Sequence, residues 1–517
     1  MSNLTQLIER AEQVSGSKLA TVCNDRRRTY AEVAERVARF AGALQMLGCE
    51  YETRIAILSL NSDRYFECYF AVPWAGCEIV PLNIKWSVAE TFYSLEDSGA
   101  EVLIFDDTFA STAEELISRS KKIREAIYMG DSDTPTWAKG YETLIADSAP
   151  IRNADRPPES VCGIFYTGGT TGFPKGVVHS HSAIASNGMC GVVEFDLDDR
   201  STYLHAAPMF HLADYALLIA TTTVTGTHVF MPAFDPGAVP KSIAENNVTH
   251  IVLVPAMIKM VLDNPAIDEF DVSGLERIVY GASPISVAVL ERLIEKLPGC
   301  GLVQAWGQTE LAPLATILRP EHHIVGGPKL RSAGRATYGV RIKIVDVNDN
   351  EVPQGDVGEL VVKGPNTMLG YWNKPEQTSA ALKDGWVYTG DAGCMDEEGF
   401  VYIADRVKDM IVTGGENVFS AEVENAVSSH DDVADVAVIG IPSDKWGESV
   451  HAIVIAREGA DVSEADIIEH TKKLIAGYKC PKSVEFRTDR FPLSGANKVL
   501  KTELRKPFWK KQDRQVN

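Results

Sequence analysis

The residues best suited to chemistry are concentrated at positions 166–176, which read Tyr-Thr-Gly-Gly-Thr-Thr-Gly-Phe-Pro-Lys-Gly. Glycines have no Cβ, so their backbone N–H groups can approach and bind a polyphosphate closely. The threonine hydroxyls supply further donors, and Lys175 supplies a compact positive charge. Apolar runs predict a buried strand over 161–166 and a short strand at 177–178. The stretch therefore predicts a phosphate-binding loop, and the alternative is a flexible surface loop.

Two familiar nucleotide-binding loops do not fit this stretch. A Walker A loop has a glycine directly followed by Lys and then Ser or Thr, whereas residues 173–174 separate Gly172 from Lys175. A dinucleotide loop needs Gly-x-Gly-x-x-Gly between a strand and a helix, whereas the glycines at 168–169 are adjacent. The stretch is therefore a phosphate loop of another kind.

Five motifs, in their order along the chain, resemble those of the adenylate-forming, or AMP-binding, superfamily of acyl- and aryl-CoA ligases, luciferases and peptide-synthetase adenylation domains. The 166–176 loop is similar to the family pattern Tyr-Thr-Ser-Gly-Thr-Thr-Gly-x-Pro-Lys-Gly, with Gly168 at the serine position. The other motifs are Trp-Gly-Gln-Thr-Glu at 306–310, Tyr-Thr-Gly-Asp at 388–391, a hinge with its following loop at 405–417, and Lys498. The fold and activity expected below follow from this resemblance.

The resemblance implies an adenylation site, where a carboxylate attacks the α-phosphate of ATP and pyrophosphate leaves. Because both reactants are anions, such a site must neutralise charge and orient the displacement. Glu310 would be a Mg²⁺ ligand, since a hard cation prefers carboxylate oxygen and bridges phosphates, and Thr309 would contact the α-phosphate. The alternative for Glu310 is an exposed acid at a strand end. The residues expected to hold the β- and γ-phosphates are Thr167, Gly168, Gly169, Thr170, Thr171, Gly172 and Lys175.

The resemblance also implies residues that bind the nucleoside. Trp306, before Gly307, would offer a flat face to adenine, and the alternative is a core tryptophan. Asp391 would accept the two ribose hydroxyls, because an ionised carboxylate takes two O–H donors; the alternative is a turn residue after Gly390. Arg406 would reach the ribose or a phosphate. The opposite wall of the base pocket would consist of Gly281, Ala282 and Ser283.

Two further residues are assigned catalytic roles by the resemblance. His211, which follows Pro-Met-Phe, is similar to the family's aromatic gate between the carboxylate tunnel and the nucleotide; the alternative is a hydrogen-bonded core histidine. Lys498 occupies the position of the catalytic lysine, and the alternative is a surface lysine in a basic tail. Asn497 replaces the glycine that usually precedes it, and asparagine tolerates positive φ better than most residues.

The resemblance finally implies a moving C-terminal domain. Lys408 would be the hinge residue about which that domain rotates between adenylation and thioester formation. The loop containing Gly414, Gly415 and Glu416 would then face CoA, and Trp446 would lie on the same side. ATP, Mg²⁺ and coenzyme A are therefore the expected cofactor and substrates.

Helices and strands alternate along most of the sequence. Apolar spacing predicts a helix over 32–47, and short apolar runs predict strands over 54–60, 78–81 and 102–105. This alternation predicts βαβ units and a largely parallel sheet. Residues 131–158 are polar and contain proline, so they predict a loop-rich lead into the phosphate loop.

Later segments change this pattern and predict the domain organisation. Alternating strands at 341–345 and 359–363, with Gly and Pro turns, predict a small β subdomain. We expect an α/β protein with a large N-terminal domain of βαβ-type subdomains and this small β subdomain over 1–405. A small α+β C-terminal domain on a hinge is expected over 406–517.

Composition excludes several classes of function. The chain has 517 residues, too many for one core, and a formal charge of −21, which argues against nucleic acid as a partner. Its nine cysteines form no Cys-x-x-Cys pair, as is typical of a reducing cytoplasm. Neither a signal peptide nor a membrane-spanning run is apparent. The sequence leaves a homodimer open.

The expected function is that of an ATP-dependent carboxylic acid–CoA ligase. The acid and MgATP would give an acyl-adenylate and pyrophosphate, after which CoA would give acyl-CoA and AMP. The acid would be a medium- or long-chain fatty acid or an aryl acid. The alternatives are an acyl-AMP ligase that loads another acceptor and, in a different class, a nucleotide-binding regulator without turnover.

Overall fold

The computed structural model describes residues 3–167, 174–283, 285–406, 409–413, 416–443, 445–493 and 499–509. The chain forms two compact units. The first unit comprises Met1–Ala282, Glu291–Arg341 and Val362–Val387, and the second comprises Ser283–Leu290, Ile342–Val361 and Tyr388–Asn517. The domain boundary expected at 405/406 stays a prediction.

The helices of the described chain vary from a single turn to seventeen residues. They are α1 (Gln6–Ser15), α2 (Tyr30–Met46), α3 (Asp63–Trp74), α4 (Val88–Ser98), α5 (Ala110–Arg119), α6 (Tyr141–Asp147), α7 (His181–Glu194), α8 (Leu212–Thr223), α9 (Ala238–Asn246), α10 (Pro255–Asp263), α11 (Ala266–Glu269), α12 (Val287–Lys296), α13 (Pro375–Ala381), α14 (Ser420–Ser428), α15 (Glu464–Lys472) and α16 (Lys501–Trp509).

The strands are mostly short, as expected for an α/β protein. They are β1 (Leu19–Cys23), β2 (Arg26–Thr29), β3 (Arg54–Leu58), β4 (Glu78–Pro81), β5 (Val102–Phe105), β6 (Glu125–Tyr128), β7 (Lys139–Gly140), β8 (Val161–Thr167), β9 (Lys175–Ser180), β10 (Thr202–His205), β11 (Thr227–Phe230), β12 (His250–Leu253), β13 (Arg277–Gly281), β14 (Gly301–Gly307), β15 (Leu314–Leu318), β16 (Arg335–Ala336), β17 (Arg341–Val345), β18 (Gly358–Lys363), β19 (Gly370–Tyr371), β20 (Leu382–Lys383), β21 (Trp386–Met395), β22 (Val401–Arg406), β23 (Ile411–Thr413), β24 (Glu416–Val418), β25 (Val433–Ser443), β26 (Gly447–Ala456) and β27 (Ser483–Phe486).

Two sheets organise the first unit. The eight-stranded sheet has the order β19-β9-β8-β4-β3-β5-β6-β7, and the nine-stranded sheet has the order β16-β15-β14-β13-β12-β10-β11-β1-β2. The central strands of both are parallel, as the alternation predicts. Local alternation indicates parallel pairing but carries no information on how many sheets the strands form.

Local signals place α2 where the sequence predicts a helix. Thr29 caps the helix, and Thr29 and Glu32 form a reciprocal capping box that satisfies two free N–H groups. The apolar residues of the predicted face are all buried, namely Val33, Val37, Phe40, Ala41 and Leu44. Spacing near 3.6 residues places these side chains on one side of the helix.

The segment 131–158 is rich in loops, as predicted, but it also contains regular structure. This segment contains β7 and the helix α6. Tyr141 begins the helix, packs on Phe40 with 4.4 Å between ring centres and donates to Glu67 Oε2 at 2.8 Å. These partners come from α2 and α3, so tertiary packing stabilises a helix that the polar sequence does not predict.

The C-terminal part of the second unit contains a five-stranded sheet of order β24-β23-β26-β25, with β27 beside β26. Alternate residues of β25 face opposite sides. Val438 packs with Ile411, Val418 and other apolar residues on one face, whereas Ala437 and Ile439 pack with α16 residues on the other. Strands β17, β18, β21 and β20, with β22 beside β21, form a further sheet.

Two properties of the described chain bear on where the protein could act. None of its described helices is long and apolar enough to cross a membrane. All nine cysteines are free thiols.

Candidate active site

Glu310 and Lys175 approach the same side chain, that of Tyr371. The Tyr371 hydroxyl donates to Glu310 Oε1 at 2.7 Å. Lys175 Nζ lies 4.8 Å from the centre of the Tyr371 ring, where the electron-rich face of the ring attracts a cation. One aromatic residue thus connects two predicted site residues from separate parts of the chain.

The hairpin of β8 and β9 positions the two ends of the predicted phosphate loop. Thr167 and Lys175 are direct partners in the antiparallel register, so they flank the residues between them. The predicted phosphate ligands Gly168, Gly169, Thr170, Thr171 and Gly172 lie outside the described residues, and their roles stay predictions.

His179, on the same strand as Lys175, holds the backbone of Thr309. Its Nε2 lies 2.5 Å from Thr309 O. A carbonyl oxygen only accepts, so Nε2 carries the proton. Burial lowers the pKa of His179 to about 4, because a charged imidazole would lose its hydration. The ring is therefore neutral near pH 7, and it fixes the residue next to Glu310.

Two asparagines hold the turn that follows Glu310. Asn366 Nδ2 donates to Leu311 O and Leu314 O, both at 2.7 Å. Asn187 Nδ2 donates to the same two carbonyls, at 3.4 and 3.2 Å. The turn contains Ala312 with φ +60°, a left-handed conformation that costs an L-residue about 1–2 kcal/mol. Such a conformation persists where surrounding contacts fix it.

Gly281 and Gly307 end adjacent strands of the nine-stranded sheet, at the predicted nucleotide wall. A Cβ on Gly281 would lie 2.0 Å from Ala305 O, and one on Gly307 would lie 1.7 Å from Pro313 O. Backbone packing therefore requires glycine at both positions, whether or not a nucleotide binds there. Ala282 follows with φ +65° and an exposed side chain, while Ser283 is half-buried.

The side chains of Trp306 and His211 are neither fully buried nor fully exposed. Trp306 is half-buried on β14, opposite Thr316 of β15. His211 is half-buried immediately before α8, and its ring centre lies 4.0 Å from that of Phe210. Neither side chain is fully enclosed in the core, and the stacking and gating roles stay predictions.

In the second unit, Asp391 is buried and lies opposite Arg406 in the register of β21 and β22. Gly390, with φ +68°, donates its N–H to Glu359 Oε1 at 2.9 Å, and Thr389 donates its hydroxyl to Leu360 O at 2.7 Å. Strand pairing therefore brings together the backbones of two residues that the sequence assigns to the ribose. Their contacts to a ribose stay predictions.

The residues expected on the CoA side are exposed where they are described. Glu416 is exposed and pairs with Thr413 in the β23–β24 hairpin. The Trp446 side chain is 47% exposed, and Lys445 Nζ lies 4.6 Å from its ring centre. Lys408, Gly414, Gly415 and Lys498 lie outside the described residues, so hinge, loop and catalytic lysine stay predictions.

The sequence motifs do not include Tyr371, His179 or Asn366. Tyr371 is 61 residues from its partner Glu310, and His179 is 130 residues from Thr309. No local spacing connects such pairs. Tyr371 follows Gly370 and precedes the helix α13, which begins at Pro375, but this local pattern does not indicate a partner.

The sequence matches the AMP-binding enzyme family over residues 8–372 and the AMP-binding enzyme C-terminal domain over 422–498. Feruloyl-CoA synthase of an Amycolatopsis species is 37% identical over 483 residues, covering 93% of this chain and 94% of that protein. Fatty acid–[acyl-carrier-protein] ligase ScoC of Streptomyces coeruleorubidus is 35% identical over 505 residues, covering 96% and 95%. The crystal structure of ATP-bound MatB from Rhodopseudomonas palustris aligns with a TM-score of 0.88 at 28% identity, covering 99% of both chains.

The chain therefore belongs to the adenylate-forming, AMP-binding enzyme superfamily, in its acyl-CoA ligase family. This family consists of ATP-binding, AMP-forming acid–thiol ligases. The predicted fold class, a large N-terminal α/β domain with a small C-terminal domain, is confirmed, as are the predicted family and enzyme class.

Proposed function

We propose that this protein is an ATP-dependent carboxylic acid–CoA ligase. A carboxylate oxygen attacks the α-phosphorus of ATP, the bond to the β-phosphate oxygen breaks, and pyrophosphate leaves. The CoA thiol then attacks the acyl carbon of the adenylate, and AMP leaves. The observation that carries this proposal is the convergence of Lys175 and Glu310 on Tyr371.

Lys175 and Glu310 have the charges that MgATP requires. The ammonium of Lys175 neutralises charge on the outer phosphates as pyrophosphate leaves. Among the described residues, no cluster of three or more His, Cys, Asp or Glu side chains suits a metal ion. A single carboxylate fits Mg²⁺, which is commonly held by one or two carboxylates together with substrate phosphates and water. When bound, Mg²⁺ would screen the negative charge of those phosphates.

The remaining roles follow the motif positions. Thr309 contacts the α-phosphate, Trp306 stacks on adenine, and Asp391 with Arg406 binds the ribose. His211 closes the carboxylate tunnel next to the nucleotide. Lys498 stabilises charge only during adenylation, and rotation about Lys408 then exchanges it for the CoA-side residues.

The acid is proposed to be an aryl acid or a medium- or long-chain fatty acid. The feruloyl-CoA synthase relative supports an aryl acid, and the fatty acid ligase relative supports a fatty acid. A second proposed function, an acyl-AMP ligase that loads a carrier protein instead of CoA, is favoured by that same carrier-protein ligase.

Location and assembly are also proposals. Nine free thiols support a reducing compartment, and we propose the cytoplasm. Small molecules are the proposed partners. A net charge of −21 supports the absence of nucleic acid among them, and a homodimer remains open.

The test is pyrophosphate release from MgATP with ferulate, benzoate, octanoate or palmitate, followed by AMP release on adding CoA. We expect acid-dependent pyrophosphate release with one class of acid, and AMP release that depends on CoA. Pyrophosphate release without a CoA response would support the acyl-AMP ligase. Release of neither product with any acid, from protein that binds MgATP, would contradict both enzymatic functions.

A further inference from the structure

Residues 366–372, called the bridging segment below, connect the two sheets of the first unit at the candidate site. Its backbone joins the eight-stranded sheet: Leu369 N–H donates to Val178 O at 2.8 Å, and Trp372 N–H donates to Gly176 O at 2.7 Å. Both acceptors belong to β9, which begins at Lys175. The segment is therefore fixed to the strand that follows the predicted phosphate loop.

The same segment also holds the turn after β14 of the other sheet. Met368 N–H donates to Glu310 O at 2.9 Å, and the Tyr371 hydroxyl donates to Glu310 Oε1 at 2.7 Å. Asn366 adds its two bonds to Leu311 O and Leu314 O. Glu310 is thus held at both its backbone and its carboxylate by one short segment.

Tyr371 differs from the other residues of the bridging segment because it contacts two charged groups of opposite sign. Its hydroxyl restricts the Glu310 carboxylate, and its ring lies 4.8 Å from the Lys175 ammonium. A phenol that donates to a carboxylate fixes the rotamer of a side chain that would otherwise retain several. A ring beneath an ammonium limits where the lysine can extend.

We propose that Tyr371 is a positioning residue for Mg²⁺-dependent ATP binding. It orients the Glu310 carboxylate toward the cation and the Lys175 ammonium toward the phosphates, and it touches neither substrate. This inference rests on the proposed function for the roles of Glu310 and Lys175. The inference adds Tyr371 as a residue that acts through Glu310 and Lys175.

The test measures ATP affinity by calorimetry with and without Mg²⁺, which requires neither the acid nor turnover. In wild-type protein, Mg²⁺ should strengthen ATP binding. Tyr371→Phe keeps the ring and removes the hydroxyl, so it should reduce this Mg²⁺-dependent gain roughly 10- to 150-fold, the range for a hydrogen bond to a charged group. Its Mg²⁺-free affinity should change little. Tyr371→Leu also removes the ring and should weaken both affinities.

Tyr141→Phe is the matched control, because it too deletes a phenol that donates to a carboxylate, Glu67 Oε2 at 2.8 Å. It should leave both ATP affinities unchanged. A double variant, Glu310→Gln with Tyr371→Phe, should bind MgATP no more weakly than Glu310→Gln alone, since Tyr371 acts through that carboxylate.

An unchanged Mg²⁺ effect in folded Tyr371→Phe would overturn the inference, and so would an equal loss in Tyr141→Phe or additive losses in the double variant. Wild-type protein that does not bind MgATP would overturn it as well. If Tyr371→Phe reduces the Mg²⁺ effect while no acid gives pyrophosphate, the inference stands and the proposed ligase activity fails.

Discussion

The turn at 309–314 in the first unit and the segment flanking 406–408 in the second are held by different kinds of contact. Neutral donors fix the turn, namely the His179 imidazole, two asparagine amides, a backbone N–H and a phenol. Charged groups fix the second segment. Ser420 donates its N–H and its hydroxyl to Asp405 Oδ2, both at 2.5 Å, and Lys501 Nζ donates to Ser420 Oγ at 2.5 Å.

The charged contacts differ in their relation to the proposed hinge. Asp405 precedes Lys408 in the chain and accepts hydrogen bonds from Ser420, which follows Lys408. This contact therefore crosses the proposed hinge. Asp409 follows Lys408 and binds Arg505 at 3.0 Å, so both partners would move together. The contacts of the first unit therefore fix a geometry, whereas the second unit combines a contact that the proposed rotation would break with one that it would keep.

We expect the largest change in rate from a variant that tests whether the second unit supplies charge only to adenylation. Lys498→Ala should slow acid-dependent pyrophosphate release by roughly 10²–10³-fold. Reaction of a supplied acyl-adenylate with CoA should remain close to the wild-type rate. The two rates are measured separately by rapid quench. An equal loss in both steps would mean that Lys498 is not a residue of adenylation alone.

The next prediction concerns rotation itself. Proline fixes φ near −65° and removes an N–H donor, so Lys408→Pro should prevent the rotation. We expect one half-reaction to continue and the other, thioester formation, to fall roughly tenfold or more. Single-turnover measurements of the two steps check this. A wild-type rate for the CoA step would place the hinge elsewhere.

A smaller effect should distinguish the contact that crosses the hinge from the one that does not. Ser420→Ala removes a hydroxyl shared by Asp405 and Lys501, so it should change the ratio of the two half-reaction rates by about 2- to 10-fold. Arg505→Gln, the control, should lower the thermal stability of the second unit and leave this ratio unchanged. If both variants shift the ratio equally, the distinction between the contacts fails.

The last prediction concerns acid stability. Burial lowers the pKa of His179, His181, His250 and His323 in the first unit to about 4. The unfolded chain, with pKa near 6.5, therefore binds more protons than the folded one between these values. Stability contributed by these neutral rings is present above pH 6.5 and is lost as the pH falls toward 4.

His250→Gln tests this sign outside the candidate site. Between pH 7 and pH 5, wild-type protein should lose about 2 kcal/mol more unfolding free energy than the variant. The difference in unfolding free energy is measured by denaturant unfolding at each pH, with hydrogen exchange in β12 as the probe. His470→Gln in the second unit is the control and should change the pH dependence less, because that ring is only half-buried. Identical pH profiles for wild type and His250→Gln would contradict the prediction.

The family and most of the secondary structure could be predicted from the sequence. A motif such as 166–176 depends on neighbouring residues, whose chemistry and turn preferences are visible in the letters. The strands at 78–81 and 102–105 and the helix around 32–47 were predicted correctly for the same reason, since apolar periodicity is a local property. The pairing of Asp391 with Arg406 in adjacent strands is consistent with their common assignment to the ribose.

The contacts that hold the candidate site together could not be predicted from the sequence. The strands of the first unit form two sheets, and α6 forms within a segment predicted to be loop-rich, because packing partners in α2 and α3 stabilise it. Tyr371, His179 and Asn366 acquired their roles through strand pairing and turns that join residues far apart in the chain. Local patterns encode which elements form, whereas the contacts between elements depend on how the whole chain buries its apolar surface.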